Sequence, residues 1–226
     1  MAVSLVKSFL EPPIDSQEIL RYAGQKEKTS ELDGIITECL EEAKPYLTYK
    51  VCYAYLPCEV SGVEVMLGDK KLSSISLSKN LAGCEQVVIF SSTIGIGIDR
   101  LIEKYKAIAP LKSLIMHAIG VERIESLANS FCAYLKEELA LDGKKIKPRF
   151  SAGYGDFKVE NQRLFFEYLE STKLLGLTLN DSYLMSPSKS VTAIVGIYDC
   201  EGKEQAPGCK ACVLKDCEYR RENGYS

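Results

Sequence analysis

Hydrophobic and polar positions alternate along this chain with two periods, three to four residues in some stretches and two in others, and the switches between them lay out the elements. After Pro12-Pro13, Asp15 followed by Glu18 forms a helix-start signal, and Gly24 marks the stop. Residues 30–44 put Leu32, Ile35, Ile36, Leu40 and Ala43 on one face of a second helix, which Pro45 ends and which is expected to pack on a sheet. From 47 to 56 the period becomes two. Tyr49, Val51, Tyr53 and Tyr55 alternate with Lys50, Cys52 and Ala54, as in a half-buried strand. Residues 59–67 and 71–77 repeat the pattern around a Gly68-Asp69-Lys70 turn, so an antiparallel group of three strands is predicted.

Residues 84–92 contain the continuous apolar run Val87-Val88-Ile89-Phe90, which predicts a central strand. It leads into Thr93-Ile94-Gly95-Ile96-Gly97-Ile98-Asp99. A strand, Gly-x-Gly and a helix start is a phosphate-binding layout, but the third glycine of the dinucleotide fingerprint is Arg100 and no complete P-loop lysine pattern is present. Gly95 and Gly97 are therefore read as a tight strand-to-helix turn. Pro110 opens a long helix reaching about residue 141, interrupted by Gly120, with Leu114, Ala118, Val121, Leu127 and Phe131 directed to the core. It carries His117, the single histidine of the chain, to which no motif pairs a nucleophile. Residues 159–168 and 171–175 are helical and stop at Gly176; residues 177–185 and 190–198, on either side of Ser186-Pro187-Ser188-Lys189, predict a hairpin.

No internal repeat, low-complexity segment or linker divides the chain before Tyr198. The predicted class is α+β, a single domain over residues 1–198 with a largely antiparallel or mixed sheet flanked by helices, followed by a Cys-rich tail over residues 199–226. With 226 residues, 46% of them hydrophobic, the chain can bury a substantial core. A net charge of -3 with scattered Lys and Arg supplies no basic footprint for nucleic acid. The apolar run at the start is too short and interrupted for a signal peptide or membrane span, so a cytoplasmic protein is expected.

In such a compartment the nine cysteines do not suggest a disulfide framework. Cys200-x8-Cys209-x2-Cys212-x4-Cys217 is a compact cluster whose four thiolates suit zinc or an iron–sulfur cluster; the alternative is four reduced cysteines without a metal. Cys39, Cys52, Cys58, Cys84 and Cys132 are dispersed and read as small buried residues.

The stretch Lys147-Pro148-Arg149-Phe150-Ser151-Ala152-Gly153-Tyr154-Gly155-Asp156 holds the densest candidate chemistry. Gly153 and Gly155 permit positive φ and close approach of backbone to a ligand, and Arg149 offers a planar donor fork suited to a carboxylate. Read alone, it is equally a tight loop with a surface arginine.

Its context changes the reading. The order Arg149-x-Ser151-x-Gly153-Tyr154, an amphipathic helix with Glu170-Ser171-Thr172-Lys173, then Leu177-Thr178-Leu179-Asn180-Asp181-Ser182-Tyr183-Leu184-Met185 and Ser190-Val191-Thr192, resembles the activation domain of cobalamin-dependent methionine synthase. The match is clearest from residue 149 to about 197. The resemblance implies S-adenosylmethionine binding by Arg149, Ser151, Gly153 and Tyr154, and reductive remethylation of cob(II)alamin with an electron donor such as flavodoxin. It implies no catalytic acid or base. An acidic ligand contact expected on the long helix falls near Asn129, with Glu122 and Glu125 one or two turns earlier. A strand tyrosine of the family has no clear match, since the chain reads Ser190-Val191-Thr192-Ala193-Ile194-Val195-Gly196. The cobalamin-binding modules that usually precede the domain are not in this sequence, so the implied partner is a separate methionine synthase or other corrinoid protein. Two other readings stay open: a metal- or iron–sulfur-binding redox accessory of a corrinoid methyltransferase, and a structural adaptor that docks on the corrinoid domain.

Overall fold

The structure is a computed structural model in which residues 3–25 and 29–199 are described. In chain order these form β1 (Leu5–Ser8), α1 (Ser16–Tyr22), α2 (Ser30–Ala43), β2 (Lys50–Ser61), β3 (Glu64–Leu67), β4 (Lys70–Ser73), α3 (Ile75–Asn80) and β5 (Gln86–Thr93). The second half adds α4 (Gly97–Lys106), α5 (Pro110–Ala140), β6 (Lys144–Ile146), α6 (Gln162–Tyr168), α7 (Ser171–Leu175), β7 (Thr178–Leu179), β8 (Met185–Ser186) and β9 (Ser190–Asp199).

Seven strands form one sheet in the order β4-β3-β2-β5-β9-β6, with β1 pairing to β2, and every pairing is antiparallel. The expected α+β class with a largely antiparallel sheet is what the chain adopts. Strand alternation sends Val51, Tyr53, Val88, Phe90, Ala193 and Val195 to one face, where α1, α2, α4 and α5 bury them. Cys52, Ala54, Leu56, Val87, Ile89 and Ile194 go to the other face, under α3, α6 and α7. Both faces are covered, so β2 is not the half-buried strand its alternation suggests: Cys52 and Ala54 are as inaccessible as Val51.

The helix signals translate directly. Asp15 caps α1 by accepting from the amides of Gln17 and Glu18, while the Glu18 carboxylate pairs with Arg21 instead of reaching back to the cap. Pro110 opens α5, which runs 31 residues, about 46 Å at 1.5 Å per residue. Leu114 faces solvent, contrary to the expected core position, because the buried stripe runs through Ile115, Met116, Ile119 and Leu127. Gly97 lies so close to Tyr46 that a Cβ there would stand 2.5 Å from its carbonyl oxygen, which accounts for that glycine as a packing contact at the start of α4.

Three strand expectations are corrected. Residues 59–67 are not one strand: Gly62, at φ 62°, turns β2 into β3. Residues 71–77 split, because Ser74 caps α3 by accepting from the Leu77 amide and so ends β4. The predicted hairpin of 177–185 with 190–198 does not form. β9, buried on both faces through Ala193, Ile194 and Val195, lies between β5 and β6 inside the main sheet. The polar residues before it form only the small ribbon β7–β8, whose turn is held by Asn180 accepting from the amides of Ser182 and Leu184.

Candidate functional site

After β6 the chain stays beside β9 for four residues, through Lys147 N–H to the Gly196 carbonyl at 2.8 Å and reciprocal Phe150–Ile194 bonds at 2.8 Å. Lys147 is buried with its ammonium 4.4 Å from the Tyr198 ring centroid. Arg149 reaches α5 instead, where its Nη2 lies 2.6 Å from Glu125 Oε2.

Beyond Phe150 the loop closes on itself. Gly153 donates to the Phe157 carbonyl at 2.7 Å, Phe157 to the Tyr154 carbonyl at 3.0 Å, and Tyr154 to the Ser151 carbonyl at 3.2 Å. Gly153 at φ 95° and Gly155 at φ 54° supply the left-handed conformations this coil needs. Phe157 anchors it in the core, whereas Tyr154 is 56% exposed at the tip, edge-on to Phe150.

The folded loop makes one wall of a cleft of about 150 Å³. Arg149, Ser151 and Tyr154 line it together with Glu125 from α5, Gln162 from α6, and Ser190 and Thr192 from β9. Of the residues singled out from the sequence, these three come together at the cleft; Gly153 shapes the loop without lining it. Thr192 Oγ1 donates to Gln162 Oε1 at 3.2 Å, bringing a side-chain amide to the cleft. A larger depression of about 420 Å³ lies between the start of α1 and α5, lined among others by Asp15, Glu18, Glu122, Asn129 and again Glu125. Glu125 thus belongs to both.

Glu122, Glu125 and Asn129 recur at helical spacing on one face of α5, which is the sequence signal for a shared surface. Spacing alone does not choose among them. The structure gives them different surroundings: Asn129 lines the larger depression, Glu125 pairs with Arg149, and Glu122 is engaged by Arg123 and the Asp15 amide. Glu122 accepts from the adjacent Arg123 and from the Asp15 amide, while Arg123 also donates to the carbonyls of Pro12 and Pro13 at 2.7 and 2.6 Å. Burial disfavours the Arg123 cation, yet the hydrogen bonds and charge of Glu122 outweigh it and raise its pKa. This pair fastens the segment before α1 against α5 and so builds a wall of the larger depression.

Other candidate groups fall away from the cleft. His117 meets the Lys189 ammonium at 3.3 Å through Nδ1; desolvation and then that neighbouring charge lower its pKa, which keeps the ring neutral at pH 7. At the Gly95–Gly97 turn, the first turn of α4 is occupied by the Asp99 carboxylate, which accepts from the Ser188 amide and hydroxyl, an arrangement hostile to a phosphate. Cys39, Cys52, Cys58 and Cys84 are buried, and desolvation pushes their thiols up to about 11, or about 12 for Cys58. They are inert core residues, as expected. Among the described residues no cluster of His, Cys, Asp or Glu is placed to hold a metal. Cys200, Cys209, Cys212 and Cys217 lie outside the described residues. No helix among the described residues is long and apolar enough to cross a membrane.

No family model and no curated protein matches the chain. Among solved structures it is similar to the crystal structure of the MetH reactivation domain bound to AdoHcy, with a TM-score of 0.69 over 90% of this chain and 81% of that one, at 14% sequence identity. The chain therefore has the fold of that reactivation domain.

Proposed function

We propose that the protein binds S-adenosylmethionine beside Arg149 and supports reductive remethylation of the cobalamin held by a separate methionine synthase or other corrinoid protein. The observation that carries this is the Arg149–Glu125 pair, set with Tyr154 at a cleft of a fold whose solved counterpart is a reactivation domain bound to AdoHcy.

The residues fit the ligand's chemistry. S-adenosylmethionine ends in an amino-acid zwitterion, and a guanidinium beside a carboxylate is the complementary unit: Arg149 takes the α-carboxylate and Glu125 the α-ammonium. Tyr154 supplies an exposed aromatic face for the sulfonium or the adenine. Ser151, Ser190, Thr192 and Gln162 provide polar groups for the ribose and base. Size decides where the ligand extends. The smaller cleft falls below the roughly 300–1,000 Å³ of ordinary ligand sites, so the ligand crosses Glu125 into the adjoining depression of about 420 Å³.

A corrinoid held by the partner would supply the reduced metal nucleophile, and an external donor such as a flavodoxin the electron it needs. This chain's residues bind the methyl donor, orient it and exclude water. The sulfonium leaves as a neutral thioether, so no side chain has to move a proton. A reactivation assay tests this: the protein, an oxidised corrinoid methyltransferase, S-adenosylmethionine and a reductant should restore turnover, and no restoration when all four are present contradicts the proposal.

The contrast among the cysteines favours a second element. The four buried core thiols and Cys132 are absorbed by packing, while Cys200, Cys209, Cys212 and Cys217 retain metal-ligand spacing. These four are proposed to hold zinc or an iron–sulfur cluster, which in the latter case would make the protein a redox accessory. Metal analysis and an absorption spectrum after anaerobic purification check it, and a metal-free, colourless protein rules it out.

A further inference from the structure

The loop that carries Tyr154 hangs between two fixed points. At one end Phe150 is bonded to Ile194 of β9 in both directions. At the other, Asp156 leaves the loop and caps a helix 80 residues away in sequence. Its Oδ1 accepts from the Ser74 hydroxyl at 2.8 Å and the Ser76 amide at 2.9 Å, and its Oδ2 from the Ile75 amide at 2.7 Å. The opening amides of α3 have no partner within the helix, so this carboxylate satisfies donors that would otherwise turn to water. Gly155 seals the contact, since a Cβ there would stand 2.4 Å from Ser76 Oγ. Those hydrogen bonds also hold the Asp156 carboxyl well below the usual carboxylate range.

We propose that Asp156 is a positioning residue for the ligand cleft, a latch that fixes the Ser151–Tyr154 wall against α3 and so holds Tyr154 in place. The geometry singles it out because both carboxylate oxygens are used, on three donors, although the side chain is exposed and contributes nothing to the core. Its neighbour Phe157 secures the backbone after the latch. Tyr154, by contrast, is mostly exposed; beside its edge-on contact with Phe150, Asp156 and the coil's own backbone bonds help set its position. The functional consequence rests on the S-adenosylmethionine reading above.

Asp156→Ala and Asp156→Asn test it by two independent readouts. Asparagine keeps one acceptor oxygen and turns an amide donor toward the α3 N–H groups, so it should lie between wild type and alanine. In Asp156→Ala, the amides of Gly153, Phe157, Ile75 and Ser76 should exchange with solvent about tenfold faster or more, with those of β5 unchanged. Affinity for S-adenosylmethionine by calorimetry should fall about tenfold, with the thermal midpoint of the free protein lowered by no more than a few degrees, as for the loss of one helix cap. Native exchange rates over the loop in Asp156→Ala overturn the latch. Faster exchange with unaltered affinity overturns its positioning role while leaving the ligand reading intact. A wild type that binds no S-adenosylmethionine overturns the ligand reading, and the exchange arm still decides the latch.

Discussion

Glu122 and Glu125 stand one turn apart on α5 and each pairs with an arginine, Arg123 of the same helix and Arg149 from the loop after β6, in opposite surroundings. In Glu122–Arg123 both residues are buried, at 3% and 0% exposure, and the pair is bound up with Pro12, Pro13 and Asp15 of the segment before α1. In Glu125–Arg149 the side chains retain 26% and 15% exposure at the junction of two clefts. A fully desolvated pair tolerates no loss of partner, because each charge depends on the other and on the surrounding carbonyls. A partly wet pair can exchange its partners for the opposite charges of a zwitterion, with new ion pairs offsetting the desolvation. Burial and the additional groups each pair holds, not residue type, separate the structural pair from the one proposed to bind ligand.

The contrast can be broken by substitution, starting with the buried pair. Arg123→Met strands a buried Glu122 carboxylate and two proline carbonyls, and should lower unfolding stability by about 3–5 kcal/mol in urea titrations. A loss below about 1 kcal/mol would show that the segment before α1 is held against α5 without the pair. Arg149→Ala should reverse the profile: stability changes by about 1 kcal/mol or less, while S-adenosylmethionine affinity drops by about 1.5–3 kcal/mol, the worth of hydrogen bonds to a charged group. Equal effects of both substitutions on stability would erase the distinction. Ser126→Ala removes only the hydroxyl bond to the Pro13 carbonyl, 2.8 Å long, and should cost about 1 kcal/mol or less of stability.

The smallest effect concerns acid. Asp156 has its pKa lowered from the ordinary 3.8 by bonds to Ser76 and Ser74. A depressed carboxylate contributes stability that is fully present above the unfolded value and lost as pH falls below it toward the folded one. Loop amide protection should therefore be flat from neutral pH down to about 4 and decline only below, and Asp156→Asn should abolish that decline. A decline beginning near pH 6 would implicate another group.

The long elements were legible in the chain because each carries several periods of its own pattern. α5 was expected from Pro110 to about residue 141 and runs to Ala140, and the caps at Asp15 and Gly176 sit at the ends expected of them. β1 and β6, of four and three residues, have too few positions to show a period. The place of β9 was not legible either: its alternation announces a strand, but its partners β5 and β6 are chosen by which faces other elements bury. At the cleft, Arg149, Ser151 and Tyr154 could be picked out from one continuous loop. That Glu125, and not Glu122 or Asn129, meets Arg149 could not, because it depends on how α5 is rotated against a loop 24 residues away.

Calorimetric titration of S-adenosylmethionine into the wild-type protein and into Arg149→Ala tests the central claim most directly. The wild type should show saturable binding at a single site, and Arg149→Ala should bind at least about tenfold more weakly. No heat of binding to the wild type, or equal affinity in the two proteins, would contradict the assignment of the Arg149–Glu125 cleft as the methyl-donor site.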